Sequence, residues 1–374
     1  MKPARQFDLG YVPELDGLRA FAVMAVLLYH TGVPFLQGGF IGVDVFFVLS
    51  GFLITSLLLR SFDTRGVVSL RRFYFRRFLR LVPALLALVL ALAVVAPVLL
   101  PRAQAKSYYV DALLALTYLS NWARAFVLHP PDLLAHTWSL AIEWQFYLLW
   151  PCLLVALLKS GVPRRRILTI AACLALLSWS WRSLLFATGQ SIDRVYNGLD
   201  TRVDALMIGC ALAVALSSPL GVALKSEQAR RVLRLSAPAA VLVLLSFAVV
   251  GRWNSAAMVY YGFFVVAICA GVLVLAAQSP GSRWLRAVLS NRVAVWTGSI
   301  SYGLYLWHYP VFRLIARSGL PHTSVVDLTA GMVITFGCAA ASYYFLETPA
   351  MRLRNRSRRP RATVGAGVPA GRPD

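Results

Sequence analysis

An arginine and a histidine interrupt the first apolar segment, Gly17-Leu-Arg-Ala-Phe-Ala-Val-Met-Ala-Val-Leu-Leu-Tyr-His30. Arg19 and His30 are eleven residues apart, which returns to within about 20° of one helix face and spans roughly 16 Å. A single helix face would then carry a cation near one membrane surface and a titratable imidazole near the other. Ionisable groups at such depth are costly and mark a pathway or a reaction site. The plainer alternative is a snorkelling arginine and a histidine hydrogen-bonded inside a bundle.

Three further ionisable residues fall at similar depth in later apolar segments: Asp44, Glu143 and His308. A carboxylate and an imidazole in a dry site make a hydroxyl nucleophilic, the ring taking the proton and the carboxylate orienting the ring. The same groups suit a structural polar network or the proton relay of a glycan or small-molecule exporter. Enzyme and exporter therefore both remain open on these residues. A different chemistry is offered by Arg71-Arg-Phe-Tyr-Phe-Arg-Arg-Phe-Leu-Arg80. At helical spacing Arg72, Arg76, Arg77 and Arg80 share one arc and Tyr74, Phe75, Phe78 and Leu79 the other, the pattern of an interfacial amphipathic helix ahead of Pro83. It would anchor to anionic lipid or cradle a polyphosphate, since guanidinium groups bind phosphate bidentately. The small residues of Gly38–Leu53, around Asp44 and Ser50, predict close helix packing. Glu347-Thr-Pro349 is expected to end the last span.

The elements that must hold these residues are membrane helices. With 374 residues, 59% of them hydrophobic, and a mean hydropathy of +0.68, the chain is an all-α integral membrane protein. Apolar segments lie at 18–33, 40–59, 81–100, 138–158, 167–187, 203–217, 236–251, 258–277, 294–316 and 325–346. A further stretch, 108–127, holds Asp111, Asn121 and Arg124. If it does not span, the clusters Arg71–Arg80, Arg164–Arg166, Lys225–Arg234, Arg283–Arg292 and Arg352–Arg361 all face the cytoplasm. Ten spans with both termini cytoplasmic follow, with 108–127 at the outer surface or re-entrant.

This distribution also explains the net charge of +22. Basic loops held at an anionic leaflet need no nucleic acid. Cys152, Cys173, Cys210, Cys269 and Cys338 show no metal or redox spacing and read as small buried hydrophobes, so no metal is expected. Asp8, Glu14 and Asp16 argue against a cleaved leader. Residues 1–13 form a cytoplasmic N-terminus, 14–350 the membrane domain, and 351–374 a basic tail expected to be disordered.

Taken together, the chain resembles the acyltransferase-3 family of integral membrane O-acyltransferases. The matches are Glu14-Leu-Asp-Gly-Leu-Arg-Ala20, Arg19 with ten residues before His30, Gly42-Val-Asp-Val-Phe-Phe-Val-Leu-Ser-Gly51, Arg77-Phe-Leu-Arg80, Trp138-Ser-Leu-Ala-Ile-Glu143 and Ser301-Tyr-Gly-Leu-Tyr-Leu-Trp-His308, spread in order over roughly residues 11–350. The resemblance implies a plasma-membrane enzyme that binds no cofactor. It takes acyl-CoA as co-substrate from the cytoplasm and acylates a hydroxyl, most often on a sugar. It implies His30 as the catalytic histidine, Arg19 as its partner, Arg77 and Arg80 as the donor-binding pair and Glu143 as the essential acid, orienting or charging His30. Asp44, Ser50, Trp138, Ser139 and His308 are expected to support the site. Some members carry a fused extracytoplasmic hydrolase-like domain. This chain, ending at Asp374, is expected to be a standalone member, so the acceptor is small or presented directly, or a separate protein hands over the acyl group. Surface polysaccharides and glycosylated secondary metabolites such as macrolides both fit as acceptors.

Overall fold

A computed structural model describes residues 10–32, 35–129, 132–224, 226–279, 282–317 and 324–356. The chain is all-helical, with no strand among the described residues. In order the helices are α1 (Pro13–His30), α2 (Gly42–Arg65), α3 (Leu70–Leu99), α4 (Arg102–Leu116), α5 (Ser120–Ala125), α6 (Thr137–Lys159), α7 (Arg164–Ala187), α8 (Ile192–Asn197), α9 (Leu199–Leu216), α10 (Leu220–Ala223), α11 (Glu227–Val250), α12 (Phe263–Ala277), α13 (Arg283–Leu289), α14 (Arg292–Ser299), α15 (Ser301–Ile315), α16 (Ser324–Ser342) and α17 (Thr348–Arg356).

Among the described residues seven helical stretches are long and apolar enough to cross a membrane: Gly39–Arg65, Leu70–Leu99, Thr137–Lys159, Arg164–Ala187, Glu227–Val250, Met258–Ala277 and Val325–Arg352. The other three expected segments are helical but differ in kind. Glu14 and Asp16 begin α1, which also carries Arg19, and Asp200, Arg202 and Asp204 begin α9. The segment 294–316 is split at Ile300 into α14 and α15. The stretch 108–127 is likewise no single helix: α4 ends at Leu116, and Tyr118 turns the chain with a φ of 56° before α5.

Helix α2 buries apolar residues on every side, the mark of a helix surrounded by others. It packs against α9 most extensively, and also against α1, α6 and α12. Glycines set the closest approach. A Cβ on Gly51 would sit 1.9 Å from the Leu206 carbonyl oxygen, and one on Gly209 would sit 2.0 Å from that of Val48, so no side chain fits between α2 and α9 there. The peripheral helices α7, α11 and α16 instead leave apolar side chains such as Leu177, Leu242 and Val333 exposed outward, where lipid would cover them.

Four sequence expectations need correction. Arg71–Arg80 is not a separate interfacial helix but the first turns of the continuous α3, which runs through Pro83. A proline-bearing membrane helix persists where the bundle packs around it; Pro83 removes only the bond to the Leu79 carbonyl, and two residues before the proline the Tyr302 hydroxyl donates to the Leu81 carbonyl at 2.7 Å. Nor does Pro349 stop the last helix. Tyr343–Glu347 widens into a π-helical turn in which the Thr348 N–H reaches the Tyr343 carbonyl, and α17 continues to Arg356. The tail expected from 351 is thus helical to 356; the expectations for residues 1–9 and 357–374 lie outside the described residues. Finally, Cys152 and Cys173 are exposed rather than buried, and the Cys152 sulfur lies 3.2 Å from the Tyr74 hydroxyl.

Candidate active site

Three cavities follow one another along α2. At its C-terminal end a basic cavity of about 690 Å³ is lined by Arg60 and Arg65 of α2 and by Arg72, Arg76, Arg77 and Arg80 of α3. The arginine arc read from helical spacing therefore faces one cavity, while Phe75 and Phe78 point outward and are exposed. Ser69 starts the helix by accepting from the Arg72 N–H. Next comes a middle cavity of about 300 Å³ holding Arg19, Ser50, Arg77, Arg80, Glu143 and Tyr147. The third, about 250 Å³, lies at the α2 N-terminal end and holds His30, Arg124, His136, Trp138 and Tyr309. Leu57, Arg77 and Arg80 line both the first and second cavities. Val43 and Tyr305 line both the second and third.

Arg19 and His30 lie on one helix as expected, but they serve different cavities. The His30 ring sits with Nδ1 2.9 Å from the Val26 carbonyl. A carbonyl only accepts, so Nδ1 carries the proton and Nε2 keeps its lone pair. His308, fully buried, does the same toward the Tyr305 carbonyl at 2.7 Å, and its Nε2 has no partner. The two histidine rings lie 5.0 Å apart, and His136, 5.5 Å from His308, completes a cluster.

The expected carboxylates do not join these histidines. Glu143 accepts from Ser50 Oγ at 2.5 Å in the middle cavity, and Tyr147 donates to the same Oγ at 3.1 Å. The Arg77 guanidinium lies 5.4 Å from the centre of the Tyr147 ring. Glu143 is thus placed at Ser50, so the expectation that it orients or charges His30 is corrected; the Val26 carbonyl holds that ring. Asp44 pairs instead with Arg202 of α9 at 2.7 Å, both buried. Residues 44 and 50 lie about 240° apart around α2, so they face different neighbours. Trp138 and Tyr196 stand over the Arg202 guanidinium at 5.9 and 5.0 Å. Ser139 bonds the Tyr305 hydroxyl at 2.5 Å, and that hydroxyl also donates to the His136 carbonyl at 3.0 Å, closing the wall between the middle and outer cavities.

A polar clasp lies beside the third cavity, which Arg124 and Ala135 line. Arg124 donates to the Ala135 carbonyl at 2.9 Å. Asp111 accepts from His129 at 2.5 Å and from the Asp132 N–H at 2.9 Å, and burial pushes its carboxyl up. Asp132 pairs with Arg313 at 2.9 Å and Arg317 at 2.6 Å. Burial pushes that carboxyl up, but the bonds from Arg317 and Arg313 outweigh it and hold it below the ordinary range.

Sequence reasoning missed His136, Tyr147, Tyr305, Arg124 and Arg202 as site residues. Tyr147 was within reach, since it follows Glu143 by four residues and so shares its face. Among the described residues no group of three metal-ligating side chains stands close enough to hold an ion.

The family model described as an acyltransferase domain matches residues 12–344. The chain is 35% identical over 367 residues to a peptidoglycan O-acetyltransferase of Listeria monocytogenes, covering 93% of this chain and 57% of that protein. It is 36% identical over 352 residues to a putative peptidoglycan O-acetyltransferase of Bacillus subtilis, covering 91% and 55%. A putative O-acetyltransferase of Staphylococcus aureus is 35% identical over 356 residues, covering 91% and 57%. The chain thus spans a little over half the length of these curated relatives. No solved structure matches it.

Proposed function

The chain belongs to the acyltransferase-3 family, and on that premise we propose that it is a plasma-membrane O-acyltransferase moving an acyl group from acyl-CoA to a hydroxyl of a carbohydrate acceptor. The observation that carries this reading is the row of adjoining cavities, which begins at six arginines and ends at His30. A dense guanidinium cluster suits the phosphates of coenzyme A. The middle cavity would take the pantetheine arm, and the acceptor would enter the cavity of His30. Ten spans with cytoplasmic termini would put the arginines on the side where acyl-CoA is made.

In this reading the acceptor hydroxyl gives its proton to His30 Nε2 as its oxygen attacks the acyl carbonyl. Arg77 and Arg80 hold the donor, and Arg19 offers a positive charge to the carbonyl oxygen. The names of the relatives favour an acetyl group and a cell-wall or surface polysaccharide; a sugar on a secondary metabolite has the same hydroxyl chemistry.

The test does not need the acceptor. Protein purified in detergent is titrated with acetyl-CoA and longer acyl-CoAs, and thioester breakdown is followed beside His30→Ala. Saturable binding, with breakdown much reduced in the variant, is expected. Absence of binding and breakdown with every thioester would overturn the reading in favour of an exporter.

A further inference from the structure

The middle cavity holds a hydroxyl arranged as a nucleophile. Ser50 Oγ donates to Glu143 at 2.5 Å, so the carboxylate stands where a base would take the hydroxyl proton. Tyr147 donates to the same oxygen from the other side at 3.1 Å. Ser50 is only partly buried and lines the cavity that Arg77 and Arg80 share with the basic mouth. A thioester threaded past those arginines meets Ser50 before it reaches Tyr305, which bonds Ser139 and the His136 carbonyl and lines both the middle cavity and that of His30.

Resting on the acyl-CoA reading above, we infer that Ser50 is a covalent relay, acylated from the donor in the middle cavity before the group passes to the acceptor. In the first step Glu143 takes the Ser50 hydroxyl proton and Oγ bonds to the acyl carbon. The carbon–sulfur bond breaks, and the coenzyme leaves as its thiol with the proton from Glu143. Arg19 faces the oxyanion formed on the way, and Tyr147 supports it. In the second step the acceptor hydroxyl, reaching the acyl group where Val43 and Tyr305 line both cavities, loses its proton to His30 and bonds to the acyl carbon. The Oγ–acyl bond breaks, and the proton held by His30 returns to the leaving Ser50 Oγ, so His30 and Ser50 both end as they began. A relay lets the coenzyme leave before the acceptor arrives, so the two bulky substrates need not occupy the adjoining cavities at once.

The experiment uses purified full-length protein and radiolabelled acetyl-CoA. His30→Ala blocks the second step only, so it should release one equivalent of coenzyme A and then stop, with label on the peptide containing Ser50. Ser50→Ala should abolish that burst, and Glu143→Gln should slow it by about 10²–10⁴-fold. Ser50→Cys controls for folding: its label should persist but become a thioester, released by neutral hydroxylamine. Label on another residue, burst without labelled protein, or normal acceptor acylation by Ser50→Ala would overturn the relay while leaving the donor reading intact. Failure of wild type to release coenzyme A from any thioester would overturn both.

Discussion

Arg202 of α9 reaches Asp44 of α2 at 2.7 Å with both side chains buried, tying α2 to the helix it packs against most extensively. The guanidinium lies 3.9 Å from the centre of the Phe263 ring and is flanked by Tyr196. Breaking a buried pair leaves an uncompensated charge, worth about 3–5 kcal/mol, whereas replacing both partners by apolar residues restores much of that. Asp44→Leu and Arg202→Met should therefore each lower the melting temperature in detergent sharply, and the double variant should recover. A double variant as unstable as the worse single one would give the pair a role beyond charge compensation.

That pair also shows where sequence reading stops. The arginine arc of α3 was legible because helical spacing is local, and so was the similar depth of His30 and His308, but their approach to 5.0 Å was not, because depth says nothing of which helices are neighbours. The partner of Asp44 was not legible, because 158 residues separate it from Arg202 and nothing local says which face of α2 meets α9. Counting spans by hydropathy met the same limit, since α1 and α9 hide their charges in partners: Glu14 with Arg286 and Asp204 with Arg182. Pro83 and Pro349 misled for a different reason. A proline removes one backbone bond and crowds the preceding turn, which ends a helix in water, whereas within a bundle the packing of neighbouring helices holds the helix together across it.

The α2–α9 contact makes a steric prediction. A Cβ on Gly51 would lie 1.9 Å from the Leu206 carbonyl oxygen, and backbone cannot yield as a side chain does. Gly51→Ala should destabilise by about 1–3 kcal/mol or more through forced separation of the helices. The same substitution at Gly337, where nothing lies within 4 Å, should be nearly silent. Melting curves of the two variants decide it.

Donor binding is expected to divide along α3. Arg77→Ala with Arg80→Ala should raise the KM for acyl-CoA by at least tenfold, because both line the basic and middle cavities. Arg72→Ala, confined to the basic cavity, should have a smaller effect that fades with salt. Equal effects at all three positions would point to a diffuse field rather than a built site.

The outer clasp predicts a response to acid. Asp132 is held below the ordinary carboxylate range by Arg317 and Arg313, so its contribution is present above the unfolded value, about 4, and is lost as pH falls through the lowered one. Asp111 is shifted the other way by burial; its contribution is present at low pH and is lost as pH rises through the raised value. Exposure of both arginines limits the Asp132 pairs to about 1 kcal/mol or less. Wild type should thus melt slightly above Asp132→Asn at neutral pH, and the gap should close below about pH 4. A gap that persists in acid would assign the effect to packing.

The two closest histidines should separate when each is replaced. Both hold Nδ1 against a backbone carbonyl, leaving Nε2 unprotonated, yet only His30 lines the outer cavity; His308 is fully buried behind it. A proton acceptor must reach its substrate within hydrogen-bond distance, and loss of one typically reduces rate by about 10²–10⁴-fold. His30→Gln should therefore lose transfer while keeping its melting temperature. His308→Gln should lower the melting temperature through its disturbed contacts yet retain transfer within about tenfold, since its ring reaches the acceptor only through His30. Loss of transfer in His308→Gln at unchanged stability would move the base from α1 to α15 and make His30 the positioning residue.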